Sequence, residues 1–296
     1  MTFHRRYGLV ALLCLLAAGC LNSRFYQPLP ASPGALADLR QPHEVMTFRG
    51  DDGSRLRGLF LPATGDPAGT VIHFHGNYGH LGHYLDQIRW LPAAGFNVFT
   101  FDYRGYGRSA GTPTRDGVYQ DVVAAIRLVH DHPRMTHQNL FLFGQSLGGA
   151  NAIAAQARHQ FPRVRAVIVE GTFSAYRAEA RDMMAAAVRE SVGPLPCLGL
   201  QIWPISYLAV TDAHSPDRLI GRISPVPTLI IQCADDRTVA PHHARRLFQR
   251  ARHPKTLWMV EGCGHLTLFT HGGKIGRRYR ERLVGFLGHA EDLRGF

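Results

Sequence analysis

The chain has 296 residues, 45% of them hydrophobic, enough to bury a large core as one α/β domain or two small ones. Lys and Arg outnumber Asp and Glu by 33 to 22, but the positive residues are scattered arginines without a long basic run. That argues for a solvated surface and against a nucleic-acid partner.

Residues 1–20 read as a targeting segment. His4, Arg5 and Arg6 give a positive start, residues 8–18 form an apolar stretch too short to span a bilayer, and Ala17, Ala18 and Gly19 precede Cys20. A cysteine directly after small residues resembles a bacterial lipoprotein signal, although Ala17 stands where that signal usually carries leucine. The resemblance implies a lipidated Cys20 and an N-terminal acyl anchor. It places the protein in the bacterial cell envelope, membrane-bound and facing the periplasm, with plain secretion as the alternative. Residues 21–41, rich in proline, read as a tether or as an arm lying on the domain, and the domain proper is expected over 42–296.

The domain opens with two alternating runs, 44–49 and 55–61, on either side of Asp52-Gly53, a hairpin signal. A third strand is expected at 70–75, then a helix over 79–94, a strand at 96–101 and a helix over 114–132 with Val118, Val122, Ile126 and Val129 on one stripe. An apolar strand at 139–143 leads into Gly144-Gln145-Ser146-Leu147-Gly148 and an alanine-rich helix at 150–157. Strands at 164–169, 228–232 and 256–260 and helices at 241–251 and 274–289 complete the alternation. This order predicts an α/β fold: a mostly parallel twisted sheet with helices on both faces and the site beyond the carboxyl ends of the strands. The alternation stops between 172 and 224, read as a small cap inserted before the next strand. Met183, Met184, Leu200, Trp203 and Tyr207 are its candidate substrate-facing residues.

Strand, sharp turn and helix lift Ser146 above the sheet edge, where small Gly144 and Gly148 let the backbone bend. A serine hydroxyl needs a base and a carboxylate that orients the base. Asp235 and Asp236 follow one later strand and His265 the next, giving the order Ser, Asp, His. With Phe74-His75-Gly76-Asn77 after the third strand and the run 102–109 after the fourth, these motifs resemble the α/β-hydrolase superfamily over residues 44–289. The His-Gly-Asn loop is similar to the branch of esterases, thioesterases and lysophospholipase-like enzymes.

The resemblance implies Ser146 as nucleophile and His265 as base. It implies Asp236 as acid, three before Val239 as in the familiar Asp-x-x-Val, with Asp235 in reserve and Glu170 a remoter alternative. Backbone N–H groups of Leu147 and Asn77 are the expected oxyanion donors, with Tyr78 beside them as an alternative donor and a substrate contact. His75 is expected to brace the loop. The run His73, His75, His80 and His83 invites a zinc reading, but no aspartate falls among them and no second cluster completes a site, so neither metal nor cofactor is expected. Of the cysteines outside the signal, Cys197, Cys233 and Cys263, the last two close neighbouring strands; a disulfide there is open, and three buried thiols are the expectation. The implied protein is a monomeric serine hydrolase acting on a small-molecule or lipid-like ester. Amide or peptide cleavage by the same residues, and a non-catalytic lipoprotein binding module, are the alternatives.

Overall fold

The computed structural model describes residues 25–31, 34, 36, 39–135, 139–192, 210–269, 273–290 and 292. The chain enters through a two-residue strand, β1 (Gln27–Pro28), and the Asp52-Gly53 turn closes the hairpin of β2 (Glu44–Arg49) and β3 (Arg55–Leu61). There follow β4 (Gly69–Phe74), β5 (Tyr78–Gly79), β6 (Phe96–Asp102), β7 (Leu140–Gln145), β8 (Val164–Glu170), β9 (Thr228–Cys233) and β10 (Lys255–Val260). The helices are α1 (Leu85–Ile88), α2 (Arg115–Asp131), α3 (Leu147–His159), α4 (Tyr176–Val192), α5 (Pro216–Leu219), α6 (His242–Arg250) and α7 (Gly273–Gly288).

Eight strands form one sheet in the order β10-β9-β8-β7-β4-β6-β3-β2, parallel except at β3, which runs antiparallel to both its neighbours. β4, β6, β7 and β9 are buried at every position, as strands covered on both faces must be. Alternation splits β7 between two cores: Leu140 and Leu142 pack with α2 and α3, Phe141 and Phe143 with α1 and Tyr279 and Leu283 of α7. This is the α/β-hydrolase fold, with the carboxyl ends of β4, β7, β8, β9 and β10 at one edge.

Two expectations need correction. The helix expected over 79–94 is broken into a turn at Leu81–Tyr84, the single turn of α1 and a turn at Pro92–Ala94. Pro92 has no N–H to continue a helix, while Asp102 Oδ1 caps the first turn by accepting the Leu81 N–H at 2.7 Å. Cys233 and Cys263 are joined as a disulfide, not free thiols, with Cα atoms 5.4 Å apart. Cys233 ends β9 opposite Val260 of β10, so the loop that leaves β10 returns Cys263 to it.

The N-terminal arm lies on the domain. Gln27 N–H donates to Asn77 O at 2.9 Å and Leu29 N–H to Gly79 O at 2.9 Å, which makes β1 a parallel partner of β5. Phe25 packs against the rings of Phe173 and Tyr176, centroids 6.0 and 5.5 Å away. Cys20, Cys197, Leu200, Trp203 and Tyr207 lie outside the described residues.

Burial raises the Asp102 carboxyl to about 6, against the opposing hydrogen bonds from the Leu81 and Arg108 N–H groups. The native state therefore holds the Asp102 proton more tightly than the unfolded chain. This contribution is present at low pH and is lost as pH rises through the native value. Asp102→Asn keeps an oxygen for Leu81 and removes the titration. The variant should gain about 2 kcal/mol relative to the parent between pH 4 and pH 7, read by urea unfolding at both values. An unchanged difference between the two proteins would refute the assignment.

Candidate active site

Ser146 sits between β7 and α3 with φ 52° and ψ −116°, in the left-handed half of the backbone map that costs a non-glycine residue about 1–3 kcal/mol. Close packing holds it there. A Cβ on Gly148 would lie 2.1 Å from the Phe74 carbonyl oxygen, and one on Gly144 2.5 Å from Gly149 N and Cα. The Ser146 N–H donates to Glu170 O at 2.8 Å, tying the turn to the end of β8. α3 begins at Leu147, three residues earlier than its composition predicts, so its positive end starts at the serine.

His265 and Asp236 arrive from the other side. His265 Nδ1 is 2.8 Å from Asp236 Oδ2. The remaining partners of that carboxylate are all donors: Thr238 N–H and Val239 N–H to Oδ1, both at 2.9 Å, and Gln232 Nε2 to Oδ2 at 3.0 Å. A carboxylate with its acceptors used this way takes a proton-bearing Nδ1 from the imidazole, which leaves the Nε2 lone pair of neutral His265 for an incoming proton. The imidazole rests on Gly171, where an added Cβ would meet its Cε1 at 3.1 Å. Serine and histidine thus lean on consecutive residues, Glu170 and Gly171. Asp235 is exposed and accepts the Gly262 N–H at 3.0 Å, so it takes no part in orienting the imidazole.

The His-Gly-Asn loop is braced by a buried ring and by hydrogen bonds. His75 is fully buried, its Nδ1 2.7 Å from Gly76 O and its ring 4.2 Å from that of Tyr103. Burial pulls its pKa down to about 3, so the ring is neutral and donates to Gly76 O through Nδ1. That carbonyl and the Asn77 N–H belong to one trans peptide and point in opposite directions. Gln27 N–H and the Tyr106 hydroxyl, at 2.9 and 2.8 Å, fix the next carbonyl, that of Asn77. Leu147 is buried, Asn77 half-buried and Tyr78 51% exposed. Met183 and Met184 are half-buried against the core under α4.

A buried polar layer beneath the serine was not read from the sequence. Glu170 Oε2 accepts from Gln145 Nε2 and from the Tyr279 hydroxyl, both at 2.9 Å. Gln145 Oε1 meets His73 Nε2 at 3.0 Å, and His73 Nδ1 meets Thr100 Oγ1 at 3.1 Å. Gln145 also donates to Gln87. Burial raises the Glu170 pKa, while Gln145 and Tyr279 oppose the shift by favouring the anion. Burial lowers His73 to about 4. The signal available in the sequence was a glutamate closing a strand that is apolar from Ala166 to Val169.

A second serine–histidine–carboxylate arrangement is visible only in the folded chain. His243 Nδ1 is 2.8 Å from Ser174 Oγ and accepts the Ser174 N–H at 3.1 Å; its Nε2 is 3.3 Å from both Glu179 Oε2 and Asp182 Oδ2. Ser174 and His243 have no exposed surface, so no substrate reaches this serine. Asp182, His242 and His243 are also close enough to hold a metal. The Ser174 N–H, however, occupies the Nδ1 lone pair, so neutral His243 carries its proton on Nε2, where a metal would need a lone pair. The group ties the foot of α4 to α6.

Comparison with known proteins agrees with this architecture. A family model described as serine aminopeptidase, S33, matches residues 65–196. YfhR from Escherichia coli (strain K12) is 34% identical over 248 residues, covering 82% of this chain and 80% of that protein. Protein bem46 of Schizosaccharomyces pombe is 32% identical over 180 residues, 60% of this chain and 55% of that one. Among solved structures, the Pyrococcus furiosus esterase Pf2001 superposes with a TM-score of 0.70 at 18% identity, over 90% of this chain and 97% of that one.

Removing the Tyr279 hydroxyl leaves a buried carboxylate short of a donor. Tyr279→Phe should destabilise the protein by about 1–3 kcal/mol, measured as a shift in urea midpoint at constant slope. A loss under about 0.5 kcal/mol would show that the bond contributes nothing net.

Proposed function

The chain belongs to the α/β-hydrolase superfamily, in the family of the YfhR proteins, and on that premise we propose that it is a serine hydrolase of carboxylic esters or thioesters. The observation that carries this reading is the fixed tautomer of His265. Its Nδ1 proton is committed to Asp236, and its ring lies on the residue next to the one that anchors Ser146.

In this mechanism Nε2 of His265 takes the Ser146 hydroxyl proton as Oγ attacks the carbonyl carbon. Asp236 orients the ring and stabilises the imidazolium. The N–H groups of Leu147 and Asn77 receive the developing oxyanion, aided by the start of α3. The imidazolium then protonates the departing alcohol or thiol, leaving an acyl group on Ser146. Water, activated by His265, releases the acid and restores the serine.

The substrate class is a lipid-like or small ester, met at a membrane surface. Cys20 carries the acyl anchor, residues 1–20 are the signal, and the protein works in the bacterial cell envelope on the periplasmic side. Phe25, packed on Phe173 and Tyr176, stands five residues after Cys20, a span of at most about 18 Å. The arm bound to the Asn77 loop therefore keeps the site close to the bilayer. The cap residues Met183, Met184, Trp203 and Tyr207, with Tyr78 at the oxyanion loop, are the contacts for the acyl or leaving group. The protein acts as a monomer.

Amide or aminopeptide cleavage is the second reading, favoured by the aminopeptidase description of the family model over 65–196. A panel of p-nitrophenyl esters against aminoacyl anilides separates the two.

A fluorophosphonate probe should label the mature protein, and labelling should vanish in Ser146→Ala; equal labelling of both proteins would end this assignment. His73 and His75 are held neutral by burial, at about 4 and about 3, and take no part in the proton transfer from Ser146.

A further inference from the structure

Asp236 and His265 must stay one hydrogen bond apart, yet separate loops carry them. The first leaves β9 at Cys233 and is pinned by the Asp236 carboxylate and by Gln232, which reaches Val239 O at 3.1 Å. The second leaves β10 at Val260 and contains Gly262, at φ +72°, and Gly264. Two glycines in five residues give that loop much backbone freedom to lose.

Besides the His265–Asp236 bond, short hydrogen bonds hold it, and Leu268 at its far end is buried in the core. Ala234 N–H donates to Val260 O at 2.7 Å, Gly262 N–H to the exposed Asp235 at 3.0 Å, and Gly264 N–H to Thr267 Oγ1 at 2.9 Å. The covalent restraint is the Cys233–Cys263 bond, three residues before Asp236 and two before His265. Both half-cystines are buried, at 3% and 4% exposure, in the core that also contains Ile168, Ile231 and Trp258. One end of the link is therefore seated in rigid sheet and the other at the base of the glycine loop.

We propose that this cystine is the positioning element of the acid–base pair, holding the histidine loop in register with the acid loop, so that hydrolysis depends on the redox state of the protein. The proposal rests on the Ser146–His265–Asp236 reading. In the oxidised protein the imidazole is held over Gly171. A dithiol reductant opens the link: one thiolate attacks a cystine sulfur, the S–S bond breaks, and the second thiolate displaces the mixed disulfide. Two electrons and two protons pass to the protein, giving the Cys233 and Cys263 thiols and the oxidised reductant. The glycine loop then samples other conformations, and the Asp236–His265 bond is populated for less of the time. Misplacement of a catalytic group by about 1 Å costs on the order of a hundredfold in rate.

The test uses the full chain produced in an oxidising compartment. Peptide mapping without reductant should recover one peptide pair joined through Cys233 and Cys263; both positions alkylating as free thiols would overturn the proposal. Dithiothreitol should then lower kcat for a p-nitrophenyl ester on the order of tenfold to a hundredfold, with KM within about twofold. Reoxidation should restore the rate, and the double variant Cys233→Ala, Cys263→Ala should be slow and indifferent to reductant. An unchanged kcat after verified reduction would refute the positioning role.

Hydrogen exchange supplies a readout independent of turnover. Reduction should speed exchange in 261–267 while β4 and β7 stay protected; equal protection of 261–267 in both states would also refute it. If the oxidised protein neither turns over nor labels at Ser146, the hydrolase reading fails, and the exchange result alone judges the clamp.

Discussion

The structure depends on one close contact, the start of α3 pressed against the ends of β4 and β7. Gly148 lies where any side chain would collide with the Phe74 carbonyl, and Gly144 is equally crowded by Gly149. This packing leaves the backbone at Ser146 no relaxed alternative, so the strained φ of 52° is held by the core around it. Leu147, Ala150, Ile153 and Ala154 of α3 are buried in that core. Core packing and the strained conformation of Ser146 are thus consequences of the same contact.

Below this turn the protein buries charge and polarity in a controlled way. Glu170 and Asp236 close neighbouring regions of the same edge, but their surroundings differ. Asp236 gathers two backbone N–H groups, a side-chain amide and an imidazole, a set of donors that suits an anion beside a histidine. Glu170 has an amide and a phenol, and burial works against its charge. Its interactions run downward, through Gln145 to His73 and Thr100, and join β8, β7, β4, β6 and α7 under the site. A polar layer of this kind has few satisfactory rearrangements, which makes it a brace for the strand ends.

The two serine–histidine–carboxylate arrangements show what distance alone does not decide. Ser174 and His243 stand as close as a nucleophile and base would, with two carboxylates behind the ring. Their complete burial makes them a tie between α4 and α6. Ser146 has 7% of its surface exposed and His265 is half-buried, beside an edge of the sheet where loops part. Partial exposure and the strained turn distinguish the Ser146 site from this fully buried tie built of the same residue types.

Much of this was legible in the residues themselves. Period-2 and apolar runs located the large strands, Asp52-Gly53 located the hairpin, and the glycines around Ser146 marked a turn that no bulky residue could make, because these are local signals of sterics and burial. The order of Ser146, Asp236 and His265 was equally visible. Other features needed tertiary contacts. The 79–94 segment carries a helical stripe, yet it folds as separate short turns, and Pro92, with no N–H, starts the last of them. Cys233 and Cys263 became a pair only once β9 and β10 lay side by side. Asp236 was separated from Asp235 by which carboxylate faces the imidazole, and Glu170, Gln145, His73 and Tyr279 became one network through sheet register and the docking of α7. A linear chain states which groups it owns and which local shapes it favours; which of them meet is decided by the packing of distant segments around a shared core.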